Sequence, residues 1–348
     1  MKKTTASVAE LDGFDDVIDA RSPSEFVEDR IPGALSCPVL DDEQRAIVGT
    51  IYKQQSSFEA RRLGAAMVAE NIARHLNKHF QDKPRDWRPL VYCWRGGQRS
   101  GAFVTWLRMV GWDACQLEGG YKSWRRHVIA ELERIPLTLS LRIVSGPTGS
   151  AKTRVLEALA QLGEQVLDLE DLAAHKGSVL GALPDRKQPT QKLFETQLYR
   201  ALTGFDAARP VYVEAESRKI GRIHLPEAMI RAMRAAPCVA IEATRDARLD
   251  FLVRDYAYLG DDVALLQSRI DCLHGLQSNE TIERWKALAA EHALPELFAE
   301  LVDLHYDPLY RRSQNHNYVH FADARRIETD DLGPQGIAAV ARQIVADS

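Results

Sequence analysis

Apolar positions along this chain change their period repeatedly. Short runs such as Val17-Ile18, the PLVY before Cys93 and the LRIV before Ser145 read as buried strands. Between them apolar residues recur every three or four positions, which gathers them on one face of a helix; Leu63, Met67, Ile72, Leu76 and Phe80 mark such a face over 58–81. The first part of the chain adds a helix start at Ser22-Pro23, a turn and strand in IPGALSCPV, a helix over 100–110, a strand in ACQLEGG and a helix over 121–132. Strands alternating with helices predict a small α/β unit around a mostly parallel sheet.

Pro136 in RIPLTLSLR ends that pattern, and a second one starts. Strands are predicted in LRIVSG, QVLDLE, VYVEAES, CVAIEA and NYVHFADA, and helices in TRVLEALAQL, QKLFETQLYRAL, LPEAMIRAMRAA and GIAAVARQIVA. Residues 246–311 read as mainly helical. The expected organisation is α/β throughout, with one domain at 10–134, a second at 135–348 and a helical insertion at about 246–311 in the latter. A length of 348 residues suits two cores better than one.

Composition narrows the class. With 45% hydrophobic and 27% charged residues the chain is globular, and no run approaches the ~18 apolar residues of a membrane span. Lys2 and Lys3 imitate the start of a signal peptide, but no apolar run follows, so the cytoplasm is the expected location and a monomer the favoured state. Five cysteines without a C-x-x-C pair argue against structural zinc and predict reduced thiols, with Cys37, Cys115, Cys238 and Cys272 as core residues. Net charge is −4, yet 61–126 holds 13 basic against 5 acidic residues. That excess is either a solvated face or a surface for phosphates.

Two glycine loops carry the chemistry. GPTGSAKT follows an apolar strand and precedes a helix, the context of a phosphate-binding loop. Gly146, Thr148, Gly149 and Ser150 would wrap N–H groups around phosphate oxygens, Lys152 would reach the outer phosphates, and the Thr153 hydroxyl would meet Mg²⁺ if a cation binds. Ala151 stands where the usual pattern has a second glycine, and a positive φ there would strain it by ~1 kcal/mol. Glu214 and Glu216 end an apolar strand, either as carboxylates toward that cation or as exposed acids. Arg186, Lys187, Lys192, Arg218, Lys219 and Arg222 are candidates to close over phosphates.

The other loop is CWRGGQRS. Cys93 ends a strand, and Trp94, Arg95, Gly96, Gly97, Gln98 and Arg99 lead into a helix. Inward N–H groups, a helix N-terminus and two arginines all favour a thiolate that meets an anion. Trp94 can stack on an unstacked base or pack on the loop, and His175, His305 and His316 are ambiguous.

VIDARSPSEFVEDRIPGA, CWRGGQRS and LEGGYKSWR resemble the signature segments of the rhodanese family, whose cysteine carries a transferable sulfur. Five residues separate Cys93 from Arg99 where ordinary rhodaneses have four, a wider cradle similar to that of Cdc25-type phosphatases. Together with GPTGSAKT, DLEDLAAHKGS, QPTQKLFE, VEAESRKIG and YDPLY, the order of parts resembles the tRNA 2-selenouridine synthase family over nearly the whole chain. The resemblance implies that wobble 2-thiouridine of tRNA is alkylated with geranyl diphosphate, after which selenium from selenophosphate displaces geranylthiol. It implies Cys93 as selenium carrier, GPTGSAKT as diphosphate loop and no tightly bound cofactor. Lys122, Arg125, Arg126, Arg311 and Arg312 are the further candidates to face tRNA. The rival expectation is a generic sulfurtransferase fused to a P-loop kinase or ATPase.

Overall fold

The computed structural model describes residues 3–178, 181–183, 185–259, 262–310, 312 and 318–346. It forms two compact units, Met1–Glu131 with Thr190–Arg200, and Leu132–Pro189 with Ala201–Ser348.

In the first unit β1 (Thr5–Ala6), β2 (Asp16–Asp19), β3 (Leu35–Ser36), β4 (Pro89–Tyr92) and β5 (Cys115–Leu117) form a sheet in the order β1-β5-β4-β2-β3, and every pair is parallel. All four residues of β4 are buried, as expected of a central strand covered on both faces. The helices Ser57–His79 and Gln98–Val110 supply Ile72, Phe103 and Leu107 to a core shared with Ile18 and Val91. Truncating Leu107 to alanine there should cost about 2–5 kcal/mol.

A further helix, Asp42–Gln54, escapes the hydrophobic pattern because none of its residues is buried. It is marked instead by reciprocal capping, in which Asp41 accepts from the Gln44 N–H at 2.7 Å and Gln44 accepts from the Asp41 N–H at 3.1 Å.

The second unit contains β6 (Ser140–Ser145), β7 (Gln165–Leu167), β8 (Pro210–Glu214), the short antiparallel pair β9 (Lys219–Ile220) and β10 (Ile223–His224), β11 (Cys238–Ala243) and β12 (Arg325–Thr329). The five-stranded sheet runs β12-β11-β6-β8-β7, all parallel. Central β6 delivers the chain into GPTGSAKT, and the helix Lys152–Gln161 leaves it, seating Val155 and Leu159 against Val340 and Ile344 of the helix Pro334–Ala346.

The last strand departs from expectation. NYVHFADA is not a strand in its described part; β12 follows it. Within 318–324 Tyr318 is buried while Val319 is 74% exposed, whereas in β12 only Ile327 is buried. An edge strand carrying Arg325, Arg326 and Glu328 shows little hydrophobic signal, and such charge is how edges resist further pairing.

The expected helical region is present. Arg245–Asp255, Val263–Asp271, Asn279–Ala290 and Leu294–Leu301 pack around Trp285, Leu266, Ile270, Phe298 and Leu301, and a π-helical turn, Val302–Tyr306, follows. Among the described residues no helix is long and apolar enough to cross a membrane.

Candidate functional site

Cys93 lies just beyond β4, 3% exposed. Its Sγ accepts from the Gly97 N–H at 3.3 Å and from the Ser100 hydroxyl at 3.1 Å. Gln116 on β5 donates through Nε2 to the Ser100 oxygen at 2.8 Å and to the Gly97 carbonyl at 2.9 Å. The Ser100 hydroxyl has one proton and two acceptors in reach, the sulfur at 3.1 Å and the Gly97 carbonyl at 3.4 Å, and the sulfur is the nearer. Ser100 and Gln116 were missed in the sequence, although Ser100 directly follows Arg99; Gln116 becomes a neighbour only through strand pairing.

The glycines of LEGGYKSWR have a steric reason. Gly120 has φ +58°, and a Cβ there would lie 2.2 Å from the Cys93 carbonyl oxygen and 2.4 Å from the Gly96 nitrogen. LEGG is therefore the floor of the thiol loop. Tyr121, next in sequence, donates its N–H to the Cys93 carbonyl at 2.8 Å and stacks on Trp94 with ring centroids 5.3 Å apart. Trp94 is thus held by packing.

Below this floor is a buried polar network. Arg21 donates to Asp19 at 2.6 Å and to the Asp29 carbonyl, Tyr92 donates to Asp19 and Tyr121 to Asp29, and the Arg21 guanidinium lies 4.0 Å from the Tyr121 ring centroid. Burial and the adjacent Asp29 push the Tyr121 hydroxyl well above the usual range, so it remains a donor. The VIDARSPSEF segment serves this scaffold.

The two loop arginines differ. Arg99 donates to Glu25 at 2.8 Å, and Glu25 also meets Arg45 at 3.1 Å. Burial alone would raise the Glu25 pKa, but Arg99 reverses that and the net shift is downward. Arg95 is exposed and has no ion pair among the described residues. Much of the basic excess is likewise paired: Arg62 with Glu59, Arg74 with Glu70, Lys83 with Asp16, and Arg125 with Glu195. The exposed cations by the thiol loop are Arg95, Lys122 and Arg126; the Lys122 N–H donates to the Trp94 carbonyl at 3.1 Å. Arg312 is exposed, while Arg311 and His316 lie outside the described residues.

Among the other thiols, burial pushes Cys37 up to about 12 and Cys238 up to about 11, and Cys115 also rises. These three are inert core groups. Cys272 is exposed, contrary to expectation, because it caps the helix Val263–Asp271 at the surface.

In the phosphate loop Ala151 adopts φ 56° and ψ 28°, the left-handed region, while 4% exposed. The position does need positive φ, and alanine carries a strain of roughly 1 kcal/mol. Gly149 has φ +86°, and a Cβ on Gly146 would lie 2.4 Å from the Ser150 hydroxyl. Buried Arg248 donates to the Thr148 carbonyl at 2.8 Å and pairs with Asp307 at 2.5 Å, so the helical region braces the loop.

Three carboxylates converge beside Lys152 and Thr153. Lys152 Nζ is 3.4 Å from Glu214, and the Thr153 hydroxyl is 3.1 Å from Glu214 and 3.2 Å from Glu170. One oxygen each from Glu170, Glu214 and Glu216 lies within 4.8 Å of the others. Burial and the charge of Glu214 push both Glu170 and Glu216 well above the usual carboxylate range. Burial would lower the Lys152 pKa, but Glu214 and Glu170 carry it upward. Glu170, from the helix Leu169–Ala173 after β7, was missed; its only signal was an acid inside the DLEDLAAHKGS segment.

These groups line a cavity of about 520 Å³ that also includes Lys176, Arg186, Phe251, Tyr256, Tyr306 and Tyr310. Of the six cations expected to close over phosphates, only Arg186 lines it, paired with Asp171 at 2.6 Å. Lys192 pairs with Glu28 and Arg218 with Glu227, Arg222 donates to the Gln188 carbonyl, and Lys187 and Lys219 are exposed. Lys176, not anticipated, meets Asp255 at 2.5 Å. His175 lines the cavity too, its pKa lowered by burial, and His305 is a core residue whose Nδ1 accepts from Gln277 Nε2 at 3.4 Å.

Comparison with known proteins gives the two units matching families. Residues 4–127 match the rhodanese-like domain, and 139–268 match the tRNA 2-selenouridine synthase AAA domain. The chain is similar to the tRNA 2-selenouridine synthase of Alcanivorax borkumensis, with 34% identity over 326 residues covering 84% of this chain and 88% of that one. It is also 37% identical to the tRNA 2-selenouridine synthase of Nitrosomonas europaea over 244 residues, 69% of this chain and 63% of that one, and so spans under two thirds of that relative. A thiol cradle and a phosphate loop, in this order and on these two folds, place the chain in the tRNA 2-selenouridine synthase family.

Proposed function

We propose that this chain replaces the sulfur of wobble 2-thiouridine in tRNA with selenium, in two steps that divide between its units. What supports this best is the pairing, on one chain, of a thiol held by two donors with a phosphate loop that faces a large cavity. In the first step the 2-thio sulfur attacks C1 of geranyl diphosphate; the C–S bond forms, the C–O bond breaks, diphosphate leaves and the base loses its N3 proton. The loop N–H groups and Lys152 stabilise the departing diphosphate. Alkylation matters because a thiocarbonyl sulfur leaves poorly, whereas geranylthiol leaves readily.

Glu170, Glu214, Glu216 and the Thr153 hydroxyl form an all-oxygen set close enough to share one hard divalent cation. Mg²⁺ held there would neutralise charge on the diphosphate. Burial and mutual repulsion of these carboxylates are what a cation would relieve.

In the second step selenium of selenophosphate attacks C2 and geranylthiol leaves, producing an Se-phosphoryl nucleoside. Selenium in selenophosphate is already at the selenide level, so holding it on Cys93 as a sulfur–selenium bond would require a two-electron oxidant that no substrate supplies. The balanced role for Cys93 is nucleophile toward phosphorus: S–P forms, Se–P breaks, selenium keeps the electron pair as the 2-selenocarbonyl, and water clears the phosphocysteine. Arg95, Lys122 and Arg126 stand ready for tRNA phosphates. The expected setting is a cytoplasmic monomer.

The test is incubation with 2-thiouridine tRNA, geranyl diphosphate and selenophosphate, followed by mass spectrometry of nucleosides. Both S-geranyl-2-thiouridine and 2-selenouridine are expected; absence of both with folded protein rejects the assignment.

A further inference from the structure

The lining of the second unit's cavity has two chemistries. Around the loop it is ionic, with Lys152, Thr153 and the three glutamates; elsewhere it is apolar and aromatic, with Phe251, Leu252, Tyr256 and Tyr306. A recess of about 10 Å³ shares Thr148, Ser178, Leu252, Tyr256 and Tyr306 with this cavity and is otherwise walled by Phe298, Leu301 and Val302. That is about the room of one water. Phe298, Leu301 and Val302 are at most 2% exposed because they also face the helical core around Trp285. Tyr306, partly buried, ends the π-helical turn between recess and cavity. Such turns often mark functional sites.

Two kinds of phosphate ester could use an apolar wall beside a phosphate loop. A nucleobase needs partners for its ring nitrogens and exocyclic groups, and burying them unpaired is costly. Phe298, Leu301, Val302 and Leu252 offer none. An isoprenoid chain asks only for apolar contact.

We propose that the apolar chain of a prenyl diphosphate runs from the phosphate loop along Leu252, Tyr256 and Tyr306 and stops against Phe298, Leu301 and Val302. This closed wall sets the chain length that the site accepts. The inference rests on the prenyl diphosphate reading above and adds to it the residues that measure the chain. A chain longer than the cavity meets the helical core.

The experiment uses the full chain and prenyl diphosphates of five, ten and fifteen carbons. Calorimetry gives affinities, and mass spectrometry of 2-thiouridine tRNA gives the alkyl group transferred. The wild type should favour ten carbons over fifteen by about tenfold or more, a gap of ~1.4 kcal/mol. Tyr306→Ala and, separately, Val302→Ala should each shift the fifteen-to-ten ratio upward by about fivefold or more. Val302→Ala guards against misfolding of the larger truncation, and binding of inorganic diphosphate checks that the loop is intact. An unchanged ratio in both folded variants, with geranylation retained, overturns the chain-length wall alone. If the wild type binds inorganic diphosphate but gains nothing from any prenyl chain, the prenyl diphosphate assignment fails and the wall fails with it.

Discussion

The thiol loop and the phosphate loop share one local plan, a buried parallel strand, a glycine turn and a helix, yet they stand in opposite electrostatic states. The groups packed around Cys93 are held by partners: Sγ has two donors, Ser100 accepts from Gln116, and Arg99 is held by Glu25, while only surface cations such as Arg95 stand exposed. Beside Lys152 three carboxylates crowd together with one lysine, and Ala151 is held in a left-handed conformation. The first loop is preorganised by the protein itself. The second is arranged around charges that a cation and an anion would complete, a difference that suits the proposed division between a site that supplies a nucleophile and one that holds a leaving group.

The largest expected effect that separates them is at Lys152. Lys152→Ala should slow geranylation by roughly 10²–10³-fold while selenation of pre-geranylated tRNA stays within a few-fold. Rapid-quench assays of each step check this, and equal losses in both would erase the contrast.

Next is the orientation of the thiol. Removing one hydrogen bond costs about 0.5–1.5 kcal/mol, so Ser100→Ala, which takes a donor from the Cys93 sulfur, should lower the alkylation rate of Cys93 by iodoacetamide by about threefold or more. Gln116→Ala should act in the same direction but less. If Gln116→Ala leaves the rate unchanged, Ser100 is not oriented by it.

The third effect concerns pH. Glu170 and Glu216 are raised above the usual value of 4.5 by burial and by Glu214. Acids raised on folding bind protons more tightly in the folded state, so without a cation stability is full below about 4.5 and falls as pH rises through the shifted values. Thermal unfolding in chelator should therefore weaken between pH 6 and 8, and Mg²⁺ should reverse much of the loss. Mg²⁺ affinity should rise over the same window, because the cation displaces protons. An affinity that falls with pH would contradict the three-carboxylate site.

The smallest effect is at Ala151. Ala151→Gly relieves roughly 1 kcal/mol of left-handed strain but adds about 0.4–1 kcal/mol of unfolded-state entropy. Denaturant titration should find stability nearly unchanged, within about 0.5 kcal/mol.

Legibility in the sequence followed the same divide between pattern and partner. The central strands of both sheets and both loops were readable because buried strands and glycine turns leave local signals, whereas the two-residue edge strand Thr5–Ala6 was not. Helix Asp42–Gln54 was not, since it buries no residue, and β12 was displaced because an edge strand shows charge where a core strand shows apolar residues. Within the sites, Cys93, Lys152, Thr153, Glu214 and Glu216 sit next to their motifs. Glu170, Gln116 and Arg248 reach theirs only through the fold, and no local spacing announces them. The basic segment misled in part, because the acids that pair with Arg62, Lys83 and Arg99 lie outside it.

The central claim is that the two loops serve separate steps, with the thiol acting after alkylation. Mass spectrometry of nucleosides from 2-thiouridine tRNA treated with folded Cys93→Ala protein, geranyl diphosphate and selenophosphate tests it most directly. The account predicts S-geranyl-2-thiouridine at near wild-type rate, an accumulating Se-phosphoryl nucleoside and little 2-selenouridine. Loss of geranylation together with selenation, or wild-type yields of 2-selenouridine, would contradict it.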